Sequence, residues 1–198
     1  IWDYVVNYRQ YLAPFPNFQV LADNIKTFRK YNAIGIQEEA QYQSLGGEFS
    51  DMKSWVIAKL LWNPEQDTDA LTSEFISYYY GDAAPYIQEY FDLCRRQIKP
   101  DTVMGIYIDQ WNPLFTDDFI KEAAALLDKA VESVKDQDET IRHRTDLVKL
   151  QIQYLRTMRY PEETLKDGTR KWMADFLTRY NIRVNEVTKT EDFVKGLL

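Results

Sequence analysis

The spacing of hydrophobic and polar residues divides the chain into a short N-terminal part with strands and a longer helical part. Ile1–Tyr8 is rich in β-branched and aromatic residues, which predicts a strand. Between Phe18 and Tyr31 apolar residues recur at helical spacing, and Ala33–Glu39 predicts a second strand that ends in polar residues. Strand, helix and strand within about forty residues predict a βαβ unit, whose two strands run parallel.

Two parallel strands alone leave both edges of their sheet open, whereas parallel strands are almost always buried inside larger α/β folds. We therefore expect further strands to complete the sheet. Three sources stay open: an N-terminal portion ahead of Ile1, which is not a Met; another chain; or a local packing arrangement. The pattern favours the first source and predicts that the chain is a C-terminal fragment.

From Phe49 onwards the apolar spacing is mainly helical. Asn63-Pro64 and Gly81 end the first two of these helices, and residues 99–115 predict an ordered connection. The two long helices that follow predict an antiparallel αα-hairpin, which Pro161 ends. The predicted helices run over Phe49–Leu61, Leu71–Tyr79, Tyr86–Cys94, Thr116–Lys135, Glu139–Arg159, Thr169–Tyr180 and Glu191–Leu197.

Charge and composition exclude several classes of function. The net charge is −7 and the basic residues form no stripe, so nucleic acid is not an expected partner. The chain has one Cys and one His, which excludes an internal disulfide and a Cys- or His-rich metal site within it. We expect Cys94 to be a small buried hydrophobe and His143 to face solvent. No apolar run reaches the ~20 residues that cross a bilayer.

The sequence contains no Gly-rich phosphate loop, and we expect neither a cofactor nor a metal. Gly46-Gly47 lies just before a predicted helix. Such a pair can leave backbone amides open to an anion, or it can form a simple tight turn.

The candidate catalytic residues are Glu38 and Glu39, where the second strand ends. In parallel α/β barrels the reacting groups lie at the C-terminal ends of the strands. Alternation along the strand sends Glu38 to one face and Glu39 to the other, so at most one of them faces a barrel mouth. The alternative is that both are solvated loop charges. The candidate substrate-binding residues around them are Asn7, Tyr8, Tyr42 and Gln43.

Aromatic residues are abundant, with 14 Tyr, 10 Phe and 5 Trp. Their rings present an apolar face with a polar edge, which suits both protein cores and sugar rings. Trp2, Tyr8 and Tyr42 are therefore candidates for a wall on which a sugar stacks, and the alternative is ordinary packing.

A set of motifs resembles the bacterial family called domain of unknown function 4838, over roughly Ile1–Leu127. The motifs are Leu12-Ala13-Pro14-Phe15-Pro16-Asn17, the strand that ends in Glu38, Gly46-Gly47-Glu48-Phe49, Ala58-Lys59-Leu60-Leu61-Trp62-Asn63-Pro64, Tyr79-Tyr80-Gly81 and Asn112-Pro113-Leu114-Phe115. One departure is Glu38-Glu39-Ala40, where the family often has Glu-Gln-Gly.

The family is similar to glycoside hydrolases with TIM barrels, near the α-glucuronidases and hexosaminidases, and its members are usually exported. The helical spacing predicts a mainly α fold. The resemblance implies that residues 1–62 are a βαβ remnant of a TIM barrel, followed by a multi-helix domain in residues 63–198. By the resemblance, Glu38 corresponds to the family's acidic position at the end of the strand. The resemblance also implies a periplasmic or cell-surface location for the whole protein. Glycan is the partner that the resemblance implies, whereas the unpaired strands predict pairing with the remaining barrel strands or with a second copy of the chain.

Three functions follow as hypotheses. The first is the C-terminal part of a carbohydrate-active, glycoside-hydrolase-like protein, inactive by itself because most of a barrel site is absent. The second is a non-catalytic glycan-binding protein. The third is a helical interaction module whose strands pair with a second copy. The sequence leaves open whether the whole protein is an enzyme.

Overall fold

A computed structural model describes all 198 residues as a mainly helical protein with one two-stranded sheet. The strands are β1 (Trp2–Tyr4) and β2 (Gln37–Glu39). The helices are α1 (Phe18–Lys30), α2 (Ser50–Trp62), α3 (Thr68–Tyr79), α4 (Ala84–Arg96), α5 (Asp117–Ser133), α6 (Glu139–Arg159), α7 (Pro161–Lys166), α8 (Thr169–Tyr180) and α9 (Thr190–Leu197). The mainly α prediction is confirmed. None of the helices combines the length and the apolar character needed to cross a membrane.

The two strands pair in parallel, as the βαβ pattern predicts, but they are shorter than predicted. Each has three residues instead of the seven or eight in the predicted strands Ile1–Tyr8 and Ala33–Glu39. Backbone pairing continues only to the bond from Val5 N to Glu39 O, after which Tyr8 N bonds Ile106 O instead. No third strand pairs with the sheet, so both outer edges are open.

The helices follow the predicted pattern because local signals fix their ends. Asn32 takes the left-handed conformation after α1, with φ 58°. Thr116 caps α5 by accepting a hydrogen bond from Phe119 N, and Asp138 caps α6 by accepting one from Thr140 N. Residues 99–115 contain no helix or strand, as predicted.

Helices α5 and α6 form the predicted hairpin. Lys149 of α6 lies 2.7 Å from Asp128 of α5, and Arg159 at the end of α6 pairs with Asp117 at the start of α5. End-to-start pairing of this kind shows that the two helices run antiparallel. Helix α7 was not predicted. Pro161 ends α6 but also begins α7, because a proline suits the first turn of a helix.

The core is divided into one large and two small clusters. The main cluster has 33 buried residues and draws on the segment after β1, helices α1–α6 and the connection before α5, so residues on both sides of Trp62 contribute to it. A second cluster of 10 residues holds α8 and the C-terminus against α6. Cys94 lies in the main cluster, and burial raises the pKa of its thiol, so its predicted role as a buried hydrophobe is confirmed. The division into domains 1–62 and 63–198 stays a prediction.

The expectation that His143 faces solvent is wrong. Its ring packs against Tyr180, with centroids 4.2 Å apart, and against Phe176 at 5.6 Å. Helix α8, which supplies both rings, covers this side of α6.

A buried ion pair joins the N-terminal segment to α2. Lys53 Nζ lies 2.5 Å from Glu48 Oε2, and both side chains are almost wholly inaccessible. The same ammonium donates to Val5 O at 3.1 Å and to Phe15 O at 2.9 Å. Burial lowers the pKa of Lys53, and the Glu48 carboxylate opposes that shift.

Replacement of Lys53 by Met is therefore expected to destabilise the fold by about 3–5 kcal/mol, because it leaves the Glu48 charge buried without a partner. Urea unfolding followed by circular dichroism measures the change. Lys59→Met, on the exposed side of the same helix, is the control and is expected to change stability by less than about 0.5 kcal/mol. The double variant Lys53→Met/Glu48→Leu is expected to recover part of the loss. Equal stability of Lys53→Met and Lys59→Met would contradict this account.

Candidate functional site

The register of the two strands sorts the strand-end carboxylates onto opposite faces of the sheet. Trp2 pairs with Gln37, Asp3 with Glu38, and Tyr4 with Glu39. Glu39 is hydrogen-bonded to Trp2, so these two share one face, whereas Asp3 and Glu38 share the other. Only one of the two candidate glutamates can therefore belong to any one site.

Glu39 is held by two aromatic donors. Tyr8 Oη donates to its Oε1 at 2.5 Å, and Trp2 Nε1 donates to its Oε2 at 2.7 Å. Burial and the neighbouring Glu39 carboxylate raise the pKa of Tyr8, which keeps the phenol a donor at neutral pH. No Lys or Arg pairs with Glu39, so its negative charge is not neutralised by a salt bridge.

Further aromatic rings surround this carboxylate. The rings of Trp2 and Tyr4 lie roughly parallel, 6.5 Å apart, and Tyr4 meets the Tyr8 ring edge-on at 5.8 Å. Tyr107, from the connection before α5, approaches Tyr8 at 6.3 Å. Trp2, Tyr4 and Tyr107 are exposed, with Trp2 59% accessible. We call Glu39 with Trp2, Tyr4, Tyr8 and Tyr107 the Glu39 surface.

Asn7 and Gln43 use their polar groups within the protein. Asn7 is buried and donates from Nδ2 to Ile108 O at 2.9 Å, so it positions the segment that carries Tyr107. Gln43 accepts from Tyr11 Oη at 3.2 Å and donates to Glu186 O at 3.3 Å. Tyr42 is exposed. The assignment of Asn7, Tyr8, Tyr42 and Gln43 as substrate-binding residues stays a prediction.

The opposite face holds a second carboxylate pair that sequence reasoning missed. Asp3 lies beside Glu38 in the strand register, and it shares its face with Val5 of the main core. Burial and then the Asp3 charge raise the pKa of Glu38 to about 7, and Glu38 Oε2 has no hydrogen-bond partner. Asp3 is identified as a neighbour of Glu38 only by the pairing register of β1 and β2. The hydrophobic pattern of each strand taken alone does not contain that register.

Neither face is built as a metal centre. The chain contains no group of three or more His, Cys, Asp or Glu side chains arranged to hold a metal ion. The Glu39 surface can instead offer carboxylate oxygens, a phenol and flat apolar rings. That combination suits a neutral, hydroxylated ligand.

Comparison with known proteins supports a domain family for the first part of the chain. Residues 1–92 match the model of a family described as Domain of unknown function (DUF4838). The match includes both strands, α1, α2, α3 and most of α4. No curated protein and no solved structure matches the chain.

The raised pKa of Glu38 predicts a dependence of stability on pH. Between its ordinary value of 4.5 and about 7, the folded chain keeps a proton that the unfolded chain releases. Stability therefore falls as pH rises through this window. Glu38→Gln is expected to lack this fall and to exceed the wild type by roughly 1–2 kcal/mol at pH 8, because partial exposure screens the full effect.

Chemical denaturation at pH 4, 6 and 8 measures this difference. Glu74→Gln, at an exposed position of α3, is the matched control and is expected to follow the wild type at each pH. A Glu38→Gln variant that loses stability with pH as the wild type does would show that Glu38 does not titrate in this range.

Proposed function

We propose that this chain is part of a carbohydrate-active protein and that the Glu39 surface contacts a glycan. The observation that carries the proposal is a carboxylate held by a tyrosine and a tryptophan, with exposed rings on both sides. The CH faces of sugar rings pack on aromatic rings, while their hydroxyls donate to carboxylates. Glu39 keeps free lone pairs after its two hydrogen bonds, so it can accept from sugar hydroxyls.

The resemblance to barrel-type glycoside hydrolases supports this function. In such a barrel, catalytic groups lie at the C-terminal ends of the strands, which is where Glu38 and Glu39 stand. Helices α1 and α2 contribute to the core on the Val5 side of the sheet. The Glu39 side, opposite to them, corresponds to the barrel interior in this proposal. The open sheet edges favour completion by further strands, and an exported, periplasmic or cell-surface location is proposed with the family.

Hydrolysis of a glycosidic bond requires two carboxylates on opposite sides of the bond. Glu39 supplies one candidate. Asp3 and Glu38 lie together on the other face and so do not complete that arrangement. We therefore propose that the isolated chain binds glycan without cleaving it, and that a catalytic partner, where the whole protein is an enzyme, comes from further strands.

A second candidate function is an interaction module. Ile34 and Trp62 form an exposed apolar surface beside α1, and Trp62 is 91% accessible. Exposed apolar patches of this kind mark interaction sites. Light scattering distinguishes this function: a stable dimer that Trp62→Ala abolishes supports it, and a monomer at all concentrations counts against it.

Glycan binding is tested with a panel of plant, host and bacterial oligosaccharides and with calorimetry on those that bind. Trp2→Ala is expected to weaken binding about tenfold, because it removes one stacking ring and one donor to Glu39. Glu39→Gln is expected to weaken it as well, because it removes a charged acceptor.

Two matched variants serve as controls. Trp62→Ala removes an exposed tryptophan of the other surface, and Glu38→Gln changes the neighbouring carboxylate on the other face. Both are expected to leave affinity unchanged. Absence of binding across the panel, or an equal loss in Trp2→Ala and Trp62→Ala, would refute the assignment of the Glu39 surface.

A further inference from the structure

A cavity of about 260 Å³ lies away from the Glu39 surface, where three helices meet. Its walls are the N-terminal turn of α2 with the preceding Gly46-Gly47, the C-terminal end of α3, and one face of α6. The residues from α6 are Thr140, His143, Arg144, Leu147, Val148 and Gln151, whose spacing follows a single helical face. The volume is slightly below the range that is typical of ligand pockets, which limits an occupant to a small molecule.

The N-terminal turn of α2, which forms part of the cavity wall, has unsatisfied donors. Its N-cap position is Phe49, in the left-handed conformation at φ 45°, and no side chain caps the helix. The backbone N–H groups of Asp51 and Met52 make no hydrogen bond within the protein. Uncapped amides and the positive end of the helix dipole both favour a negatively charged group.

Two side chains of the cavity wall also carry a donor with no acceptor in the protein. Gln151 is 2% accessible and accepts a hydrogen bond from Tyr90 Oη at 3.0 Å, but its Nε2 donates to no protein atom. Tyr80 is 4% accessible, and its hydroxyl makes no hydrogen bond within the protein. Both residues line the cavity, where an acceptor on a ligand can bind these donors.

Arg144 adds a positive charge that no carboxylate neutralises. Its guanidinium lies over the Tyr79 ring at 3.9 Å from the centroid and donates to Tyr79 O at 3.3 Å. No Asp or Glu oxygen lies within salt-bridge distance of it, which leaves several of its five N–H donors available. A planar guanidinium matches a carboxylate with two parallel hydrogen bonds.

The rim carries one carboxylate. Asp51 accepts from Tyr79 Oη at 2.5 Å, and burial together with this bond raises the pKa of Tyr79 to about 12, so the phenol stays protonated. Asp51 repels a bare anion but can accept from a donor on the same ligand. Leu45, Leu147 and Val148 supply an apolar wall.

We propose that this cavity binds a compact organic acid that also carries a hydroxyl or ammonium donor. The carboxylate pairs with Arg144 and the amides at the start of α2, Gln151 and Tyr80 donate to the ligand's acceptors, and the ligand's own donor faces Asp51. The protein's net charge of −7 disfavours anions at its surface in general, so uptake of an acid requires a specific site. This inference does not rest on the glycan-binding proposal, because the two sites share no residue.

The test uses L-lactate as the probe, with lactamide as its neutral analogue and propionate as the acid without a donor. Nuclear magnetic resonance of the ¹⁵N-labelled chain follows the Gln151 side-chain amide and the Asp51 and Met52 backbone amides. Lactate is expected to shift these signals saturably, propionate to bind more weakly, and lactamide not to bind. L-Alanine in a parallel titration distinguishes an ammonium donor from a hydroxyl.

Two variants localise the binding. Arg144→Gln is expected to weaken lactate binding about tenfold or more, whereas Arg142→Gln, at an exposed position of the same helix, is expected to leave it unchanged. Thr140→Trp fills the mouth of the cavity from an exposed position and is expected to abolish binding without loss of folding.

Three results would each overturn the proposal: no saturable shift at tens of millimolar for lactate and alanine, equal binding of lactamide, or full binding by folded Thr140→Trp. The lactamide comparison and Thr140→Trp decide the question even where Arg144→Gln fails to fold. A glycan-binding result of either sign leaves this test unaffected.

Discussion

The Lys53 ammonium is the point on which three separate segments depend. It pairs with Glu48 and also binds the carbonyls of Val5 and Phe15, so the segment after β1, the turn between Pro14 and Pro16 and the start of α2 converge on one buried charge. A buried ammonium is costly unless nearby oxygens satisfy it. The backbone of each segment must therefore place its oxygen within hydrogen-bond distance of the Lys53 ammonium.

Both candidate sites lie next to this constraint. Val5 offers its carbonyl to Lys53 and its N–H to Glu39 O, so the residue that anchors β1 also fixes the backbone that carries Glu39. On the other side, Glu48 is committed to Lys53 and does not cap α2. Phe49 at the N-cap has no polar side chain that could do so. The amides at the start of α2 thus stay unsatisfied because the Glu48 carboxylate neutralises Lys53 instead of capping the helix.

Features that local sequence controls could be predicted, and features set by distant contacts could not. Thr116, Asp138 and Pro85 fix helix ends through neighbours a few residues away, and the predicted helices match. The length of β1 depends instead on a distant contact, because Tyr8 N bonds Ile106 O and not β2. The environment of His143 likewise depends on α8, which packs against its ring. The same distinction holds for the carboxylates. The sequence identifies Glu38 and Glu39 because they end a predicted strand, whereas the proximity of Asp3 to Glu38 depends on the register between β1 and β2.

Glu38 and Glu39 are adjacent in the sequence, but they lie on opposite faces of the sheet and therefore have different chemical environments. Glu39 receives two neutral donors among exposed rings, which keeps its charge available to a ligand. Glu38 lies against Asp3 and loses solvent, so its ionised form is disfavoured. A carboxylate that prefers its proton near neutral pH resembles a general acid, but its position on the Val5 face directs it toward the helices. The face on which a carboxylate lies, more than its pKa, therefore decides which glutamate can meet a ligand, and that consideration favours Glu39.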